Sequence, residues 1–455
     1  MLTYELKKTP GVPLYEALYR CIRRDILSGV LQAGEKLPSK RALAQNLEIS
    51  KITVEGAYNQ LLEEGYIRAR EKVGYFVEKT ELIPAPDIPA LHHRENRQEL
   101  PGGTEHFPFS VWTRLQREVI LDYGQQLLLP MPNQGVPELR LAIARHLADF
   151  RGMSVDPRNI LIGAGTDFLY NLLIQLLGRD LCYAVEDPGY GKIRRIYEAG
   201  GVRNISAAMD EKGVRPDGLE GAQVLHISPS HHFPTGLVTP LGRRQELLDW
   251  ARNRDAWIIE DDYDSEFRFD AHPKPAMQSL CSSRVIYMNS FSKTLAPSIR
   301  ISYMVLPEPL MEKFQTMLGF YSCTVPSFEQ YTLSRFLSRG FFEKHINRMR
   351  KFYKNRRNEL ISRLKDWKYA HCLEIYEQDA GLHFILHLDT DLTDRQLGRK
   401  MAEAGVPIPC LTDFYQEPGH GDLHCLVVSY AGMQEKMMDG LLLALEGIFR
   451  QPRDK

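Results

Sequence analysis

Four prolines between Thr80 and Gly103, at Pro84, Pro86, Pro89 and Pro101, constrain this chain more than any other feature. Proline fixes φ and lacks an amide donor, so a stretch this rich in it joins neither a helix nor a sheet. A polar stretch through His92, Arg94 and Arg97 follows Pro89, and Gly102-Gly103 follows Pro101. The spacing predicts a semi-extended linker over 80–102, separating an N-terminal domain over 1–79 from a C-terminal domain over 103–455. No internal repeat is visible.

Composition sets outer bounds. With 43% hydrophobic and 25% charged residues the chain reads as globular, neither disordered nor fibrous. A net charge of −1 excludes coating of nucleic acid or membrane by bulk electrostatics, while leaving room for a local basic face. The first thirty residues carry charges throughout, and no segment has the length of a signal peptide or membrane span. The expectation is a cytoplasmic protein with no membrane partner. Seven cysteines, scattered and without C-x-x-C spacing, read as free thiols, and no metal site is expected.

In the N-terminal module Leu14, Leu18, Cys21, Ile22 and Ile26 keep helical spacing up to Ser28-Gly29. Ser39 is placed to cap a short helix that buries Leu43, Ala44 and Leu47. Ser50 is placed to cap a third, whose Val54, Ala57, Tyr58, Leu61 and Leu62 form one stripe and leave Lys51, Ile52, Thr53, Glu55 and Gly56 partly free. After Gly65, residues Tyr66 to Val77 read as two strands with a charged tip, the shape of a wing. Two helices joined by a short turn suit docking into a DNA major groove. The candidate DNA contacts are Ser39, Lys40, Arg41, Ser50, Lys51, Thr53 and Lys72, with Arg68 and Arg70 on the wing; cations and helix N-termini would meet phosphates. Residues 1–80 hold 13 Lys+Arg against 10 Asp+Glu. That excess is small, so a helical interaction module with solvated charges stands level with a DNA reader on these grounds.

Downstream, helical patterns alternate with short apolar runs at Cys182 to Val185, Val224 to Ile227, Trp257 to Ile259, Val285 to Met288 and Ile301 to Val305. This predicts an α/β fold with a mostly parallel sheet, whose ligands lie beyond the carboxyl ends of the strands. There Ser290-Phe291-Ser292-Lys293 and Arg300 combine an amine able to condense with an aldehyde and groups able to clamp a phosphate. The S-x-x-K spacing also matches penicillin-recognising enzymes, but no K-T-G or S-D-N partner follows. Asp261 and Tyr263 could serve a pyridine nitrogen and a ring hydroxyl; a solvated acidic turn or metal site is the alternative, and an EF-hand fails for want of its sixth-position glycine. Gly165, Thr166 and Asp167 sit where a strand gives way to a helix expected near Phe168, a favourable place for phosphate. Tyr190 could stack on a cofactor face or pack in the core.

These pieces resemble fold-type I pyridoxal-phosphate enzymes of the aspartate aminotransferase class, joined in the same order by Asn133-Gln134-Gly135-x-Pro137-x-Leu139-Arg140 and Ser228 to Gly236. Leu37-Pro38-Ser39-Lys40-Arg41-Ala42-Leu43-Ala44, Ser50-Lys51-Ile52-Thr53-Val54 and Gly74-Tyr75-Phe76-Val77 resemble the GntR-type winged helix. The whole is similar to MocR-type regulators. That resemblance implies Lys293 as the covalent anchor of pyridoxal 5'-phosphate, Asp261 on its ring nitrogen, Tyr263 on its ring hydroxyl and Tyr190 stacked on it. Ser290, Ser292, Arg300 and the amides of Gly165 to Asp167 would hold phosphate. It also implies promoter DNA, an effector that is the cofactor or an amine, and a domain-swapped head-to-tail homodimer. A working aminotransferase with an appended DNA-binding domain is the alternative; a third reading is a cofactor-free dimerisation scaffold.

The sequence departs from the enzyme pattern twice. Phe233 replaces the asparagine before Pro-Thr-Gly, with His231 or His232 as substitutes, and Val427 falls where a carboxylate-binding arginine is expected. Arg348, Arg350 or Lys192 are alternative anion sites. A third departure, Gly56 inside the third helix, reads either as room for DNA or as neutral.

Overall fold

A computed structural model describes residues 2–4, 6, 13–79, 104–269, 274–376, 381–417 and 419–450. The chain divides into two compact units, 1–98 and 99–455. The expected linker over 80–102 lies outside the described residues.

The first unit contains α1 (Leu14–Leu27), α2 (Lys40–Asn46), α3 (Lys51–Glu63) and a hairpin of β1 (Ile67–Arg70) and β2 (Gly74–Val77). Ser39 Oγ accepts from the Ala42 amide at 3.2 Å and Ser50 Oγ from that of Thr53 at 3.0 Å, so both expected caps form. Leu18, Ile22, Leu43, Val54, Ala57, Tyr58 and Leu61 close the core. Gly56 has a packing reason: a Cβ there would stand 3.2 Å from Cγ of Tyr15 on α1. Its bare backbone admits a neighbouring helix.

In the second unit α4 (Phe109–Tyr123) and α5 (Pro137–Arg151) lead into β3 (Ile160–Gly163), α6 (Thr166–Leu177), β4 (Tyr183–Asp187), α7 (Gly191–Ala199), β5 (Asn204–Asp210) and β6 (Gly213–Val214). Next come β7 (Val224–Ile227), α8 (Leu241–Asn253), β8 (Trp257–Asp261), α9 (Met277–Leu280), β9 (Val285–Ser290), α10 (Phe291–Thr294) and β10 (Ser302–Val305). After α11 (Glu308–Leu318), α12 (Ser327–Ser338) and α13 (Phe341–Lys365) stands a C-terminal layer of β11 (Leu373–Tyr376), β12 (His383–Leu388), α14 (Asp394–Glu403), β13 (Cys425–Ser429) and α15 (Glu435–Phe449).

Strands β3 to β10 form one sheet in the order β3-β10-β9-β8-β7-β4-β5-β6. From β9 to β5 neighbours run parallel, whereas β10 is antiparallel to both β9 and β3. Both faces are covered, which is why these strands read as continuous apolar runs. Ile259, Ile286 and Met288 pack with α6 and α11 on one side, while Ile258 and Val285 pack with α8 on the other. The α/β expectation holds, with one boundary moved. Gly165 (φ 91°, ψ 162°) is the last non-helical residue, so α6 begins at Thr166 rather than near Phe168. All seven cysteines are free, and no helix of the described residues is long and apolar enough to cross a membrane.

Candidate functional site

Because the central strands are parallel, their carboxyl ends gather at one edge. Ser302 of β10 faces Gly163 of β3 on one side and Ser290 of β9 on the other. This register brings the glycine turn and the Ser290 to Lys293 turn together. A cavity of about 250 Å³ opens between them, lined by Thr166, Asp167, Tyr190, Asp261, Tyr263, Ser290, Ser292, Lys293 and Arg300. Of the candidate cofactor residues, only Gly165 is not in its wall. Gly165 instead permits close packing, since any Cβ there would collide with the Arg300 guanidinium.

Asp261, at the end of β8, is buried and asymmetrically held. The Tyr170 hydroxyl donates to its Oδ2, and His226 Nε2 lies 3.6 Å from the same oxygen. Tyr197 in turn fixes His226, its hydroxyl 2.6 Å from Nδ1. Oδ1 of Asp261 has no partner among the described residues. A buried carboxylate oxygen without a donor is costly unless a ligand supplies one. Tyr170 and His226 were missed in the sequence. The available signal was a histidine inside the apolar run of β7 and a tyrosine one helical turn after Thr166.

The anion end is built from backbone and cations. Thr166 and Asp167 occupy the first turn of α6, where amides lack helical partners. Arg300, in a left-handed conformation (φ 50°, ψ 31°), donates to the Ala164 carbonyl at 3.3 Å and lies 3.6 Å from Asp167 Oδ2. Lys192 pairs with that carboxylate at 2.7 Å. Ser290 Oγ accepts from the Ser292 amide at 3.2 Å and from Ser302 Oγ at 2.8 Å. Lys293 is exposed to the cavity.

Of the substitutes weighed for the two departures, Lys192 lines the cavity; Arg348, Arg350, His231 and His232 do not, and neither does Val427 itself. Arg350 is drawn away to the Glu266 carbonyl at 2.6 Å and the Phe150 ring. His231 lies behind Tyr263, with Nδ1 2.8 Å from Asp264 Oδ2 and 3.4 Å from the Tyr263 hydroxyl. Val427 is buried in β13. Phe233 does line the cavity, packed edge-on to the half-exposed Tyr190 and against Phe414. Phe414 ends a short 3-10 helix (Leu411–Phe414), and the segment after it is clamped onto the end of β4: Asp187 accepts from the amides of Gln416 at 2.9 Å and Glu417 at 3.2 Å.

His232 Nε2 lies 3.6 Å from Glu186 Oε2, yet burial disfavours the charged form of both. It pushes Glu186 well above the carboxylate range, and, together with the nearby His231, pulls His232 from 6.5 to about 3. At neutral pH the histidine of this pair carries no charge. A histidine kept neutral in the fold but free to protonate when unfolded costs stability as pH falls below about 6.5, by about 1.4 kcal/mol per pH unit down to its folded pKa. Buried Glu186 and Glu260, raised by burial, act in the opposite sense. The histidine is therefore read by difference: the stability of wild type relative to His232→Gln should fall steadily from pH 6.5 to 4.5 in urea unfolding. A pH-independent difference would contradict the neutral assignment.

On the first unit, Ser39, Arg41, Ser50, Lys51 and Lys72 are exposed and Thr53 is partly so. Lys40 is engaged within the module, 2.8 Å from Glu55 and 5.4 Å from the Tyr75 ring centroid.

Residues 14–77 match the family of bacterial regulatory proteins, gntR family, and residues 96–445 match aminotransferase class I and II, a family that works with pyridoxal phosphate. The HTH-type transcriptional regulator YdeL of Bacillus subtilis is 36% identical, covering 95% of this chain and 96% of its own. The HTH-type pyridoxine biosynthesis transcriptional regulator PdxR of Corynebacterium glutamicum is 31% identical over 88% of each. Among solved structures, an archaeal alanine:glyoxylate aminotransferase superposes with a TM-score of 0.69 at 22% identity, covering 78% of this chain and 90% of that one, which speaks to fold alone. Regulators share both domains nearly end to end, which favours the regulator over an enzyme carrying an added DNA-binding domain. The chain belongs to the MocR-type family of transcriptional regulators, a gntR-type winged helix fused to an aminotransferase-like domain.

Proposed function

We propose that residues 1–79 read a promoter duplex and that residues 103–455, tethered through 80–102, sense pyridoxal phosphate or an amine that reacts with it at Lys293. The observation that carries this reading is the convergence of Lys293, Asp261, Tyr263, Ser290, Ser292 and Arg300 on one cavity. Pyridoxal phosphate, when bound, supplies an aldehyde that condenses with primary amines and a ring that withdraws electrons. The residues suit it. Asp261 Oδ1 lacks a donor, and a protonated ring nitrogen is one. Burial keeps the Tyr263 phenol protonated, ready to donate to a ring oxygen. Arg300, Ser290, Ser292 and the first amides of α6 offer donors to a phosphate dianion.

In this reading Lys293 would hold the cofactor, an amine effector would compete with it, and the effector would act by preferring one closure state of the large domain over another. Ser39, Arg41, Ser50, Lys51, Thr53 and Lys72 face the duplex, with Lys40 bracing α2 against α3. A head-to-tail homodimer, each winged helix leaning on its partner's large domain, is part of the proposal. Its support is the solvent-exposed apolar set Phe109, Ile120, Leu121, Leu128 and Leu129, which a second copy would cover.

The test is borohydride reduction with pyridoxal phosphate followed by peptide mass spectrometry. The expected result is an adduct on Lys293, absent in Lys293→Ala, and an operator affinity that responds to the cofactor only in wild type. Reduced protein without an adduct at Lys293 would overturn the reading.

A further inference from the structure

The stripe of Val54, Ala57, Tyr58 and Leu61 fixes which face of α3 meets the rest of its module. Ile52 precedes Val54 by two residues, about 200° around the helix, and is 80% exposed. Neither packing nor propensity accounts for it: its side chain is largely in water, and a β-branched residue forms helix less readily than lysine, glutamate or alanine. Its surroundings are those of an anion-seeking surface. Exposed Lys51 precedes it, the capped N-terminus of α3 lies beside it, and of the nearby acidic groups Glu55, the one on α3, is occupied by Lys40 at 2.8 Å while Glu48 lies in the turn before the helix. An apolar side chain on such a surface is suited to an apolar group on a polyanionic partner. In the DNA major groove, the 5-methyl of thymine is that group.

We infer that Ile52 packs on a thymine methyl and makes the operator carry an A·T pair at that step. The inference rests on the DNA-binding reading and adds to it the identity of a base and the residue that selects it.

The experiment uses the full-length protein and an operator selected from a random duplex pool, with thymines replaced singly by deoxyuridine to remove only the methyl. Affinity should drop about four-fold at one thymine per half-site, the worth of one buried methyl group. Ile52→Ala should bind the thymine operator more weakly by at least that factor and treat thymine and uracil alike, while Ile52→Val keeps part of the preference. The melting temperature should not fall, because the side chain is outside the core and alanine is the better helix former. If wild type tolerates every uracil, or Ile52→Ala still prefers thymine, the assignment of Ile52 is overturned while the DNA reading stands. If no sequence is selected from the pool, the DNA reading falls and takes this assignment with it.

Discussion

Arg151→Met should destabilise the aminotransferase-like domain by about 3–5 kcal/mol, the range for stranding one partner of a buried ion pair. Arg151 Nη2 stands 2.9 Å from Asp262 Oδ2, and the two side chains are 1% and 0% exposed. The arginine also donates to Ser230 Oγ at 3.0 Å, and Tyr287 donates to the same Asp262 oxygen at 2.7 Å. Burial opposes ionisation of Asp262, but Arg151 and the Tyr287 hydrogen bond outweigh it and hold the carboxyl below its ordinary range. Methionine would fill much of the volume and leave that charge uncompensated. Urea unfolding of the variant reads the loss. Adding Asp262→Asn should recover part of it, since the stranded charge is then gone; a single variant within 1 kcal/mol of wild type would show that water satisfies Asp262.

Asp261→Ala should release pyridoxal phosphate. A hydrogen bond to a charged group is worth about 1.5–3 kcal/mol, which corresponds to a dissociation constant roughly ten- to a hundred-fold higher. Equilibrium dialysis against the cofactor measures this directly. Tyr170→Phe should give a smaller change of the same sign, because it removes only the donor to Asp261 Oδ2. Unchanged affinity in Asp261→Ala would mean that the orphaned oxygen faces no ring nitrogen.

The part of the cavity lining that was legible in the sequence lies close to the ends of apolar strands: Asp261 ends β8, Ser290 ends β9, and the turn at Gly165 follows β3. Local pattern was enough to place them, and parallel topology brought them to one edge. What stayed hidden depends on which strands are neighbours. Tyr170 reaches Asp261 from 91 residues away, and His226 does so because β7 lies beside β8, neither of which periodicity encodes. The reason for Gly56 was hidden in the same way, since its partner Tyr15 lies on another helix. Lys40 reads as a free surface cation until the spacing of α2 and α3 places it against Glu55. Phe233 was recognised as a departure, but its contacts with Tyr190 and Phe414 needed three separate segments to be brought together.

The Asp187 clamp gives those aromatic contacts a mechanical meaning. One carboxylate fastens two successive peptide groups of the C-terminal layer to the rim of the binding chamber, with Phe414 pressed on Phe233 just inside. Phe233 therefore cannot turn toward that layer without meeting Phe414. The chamber wall and the layer beyond it are coupled there by ring shape, not by charge.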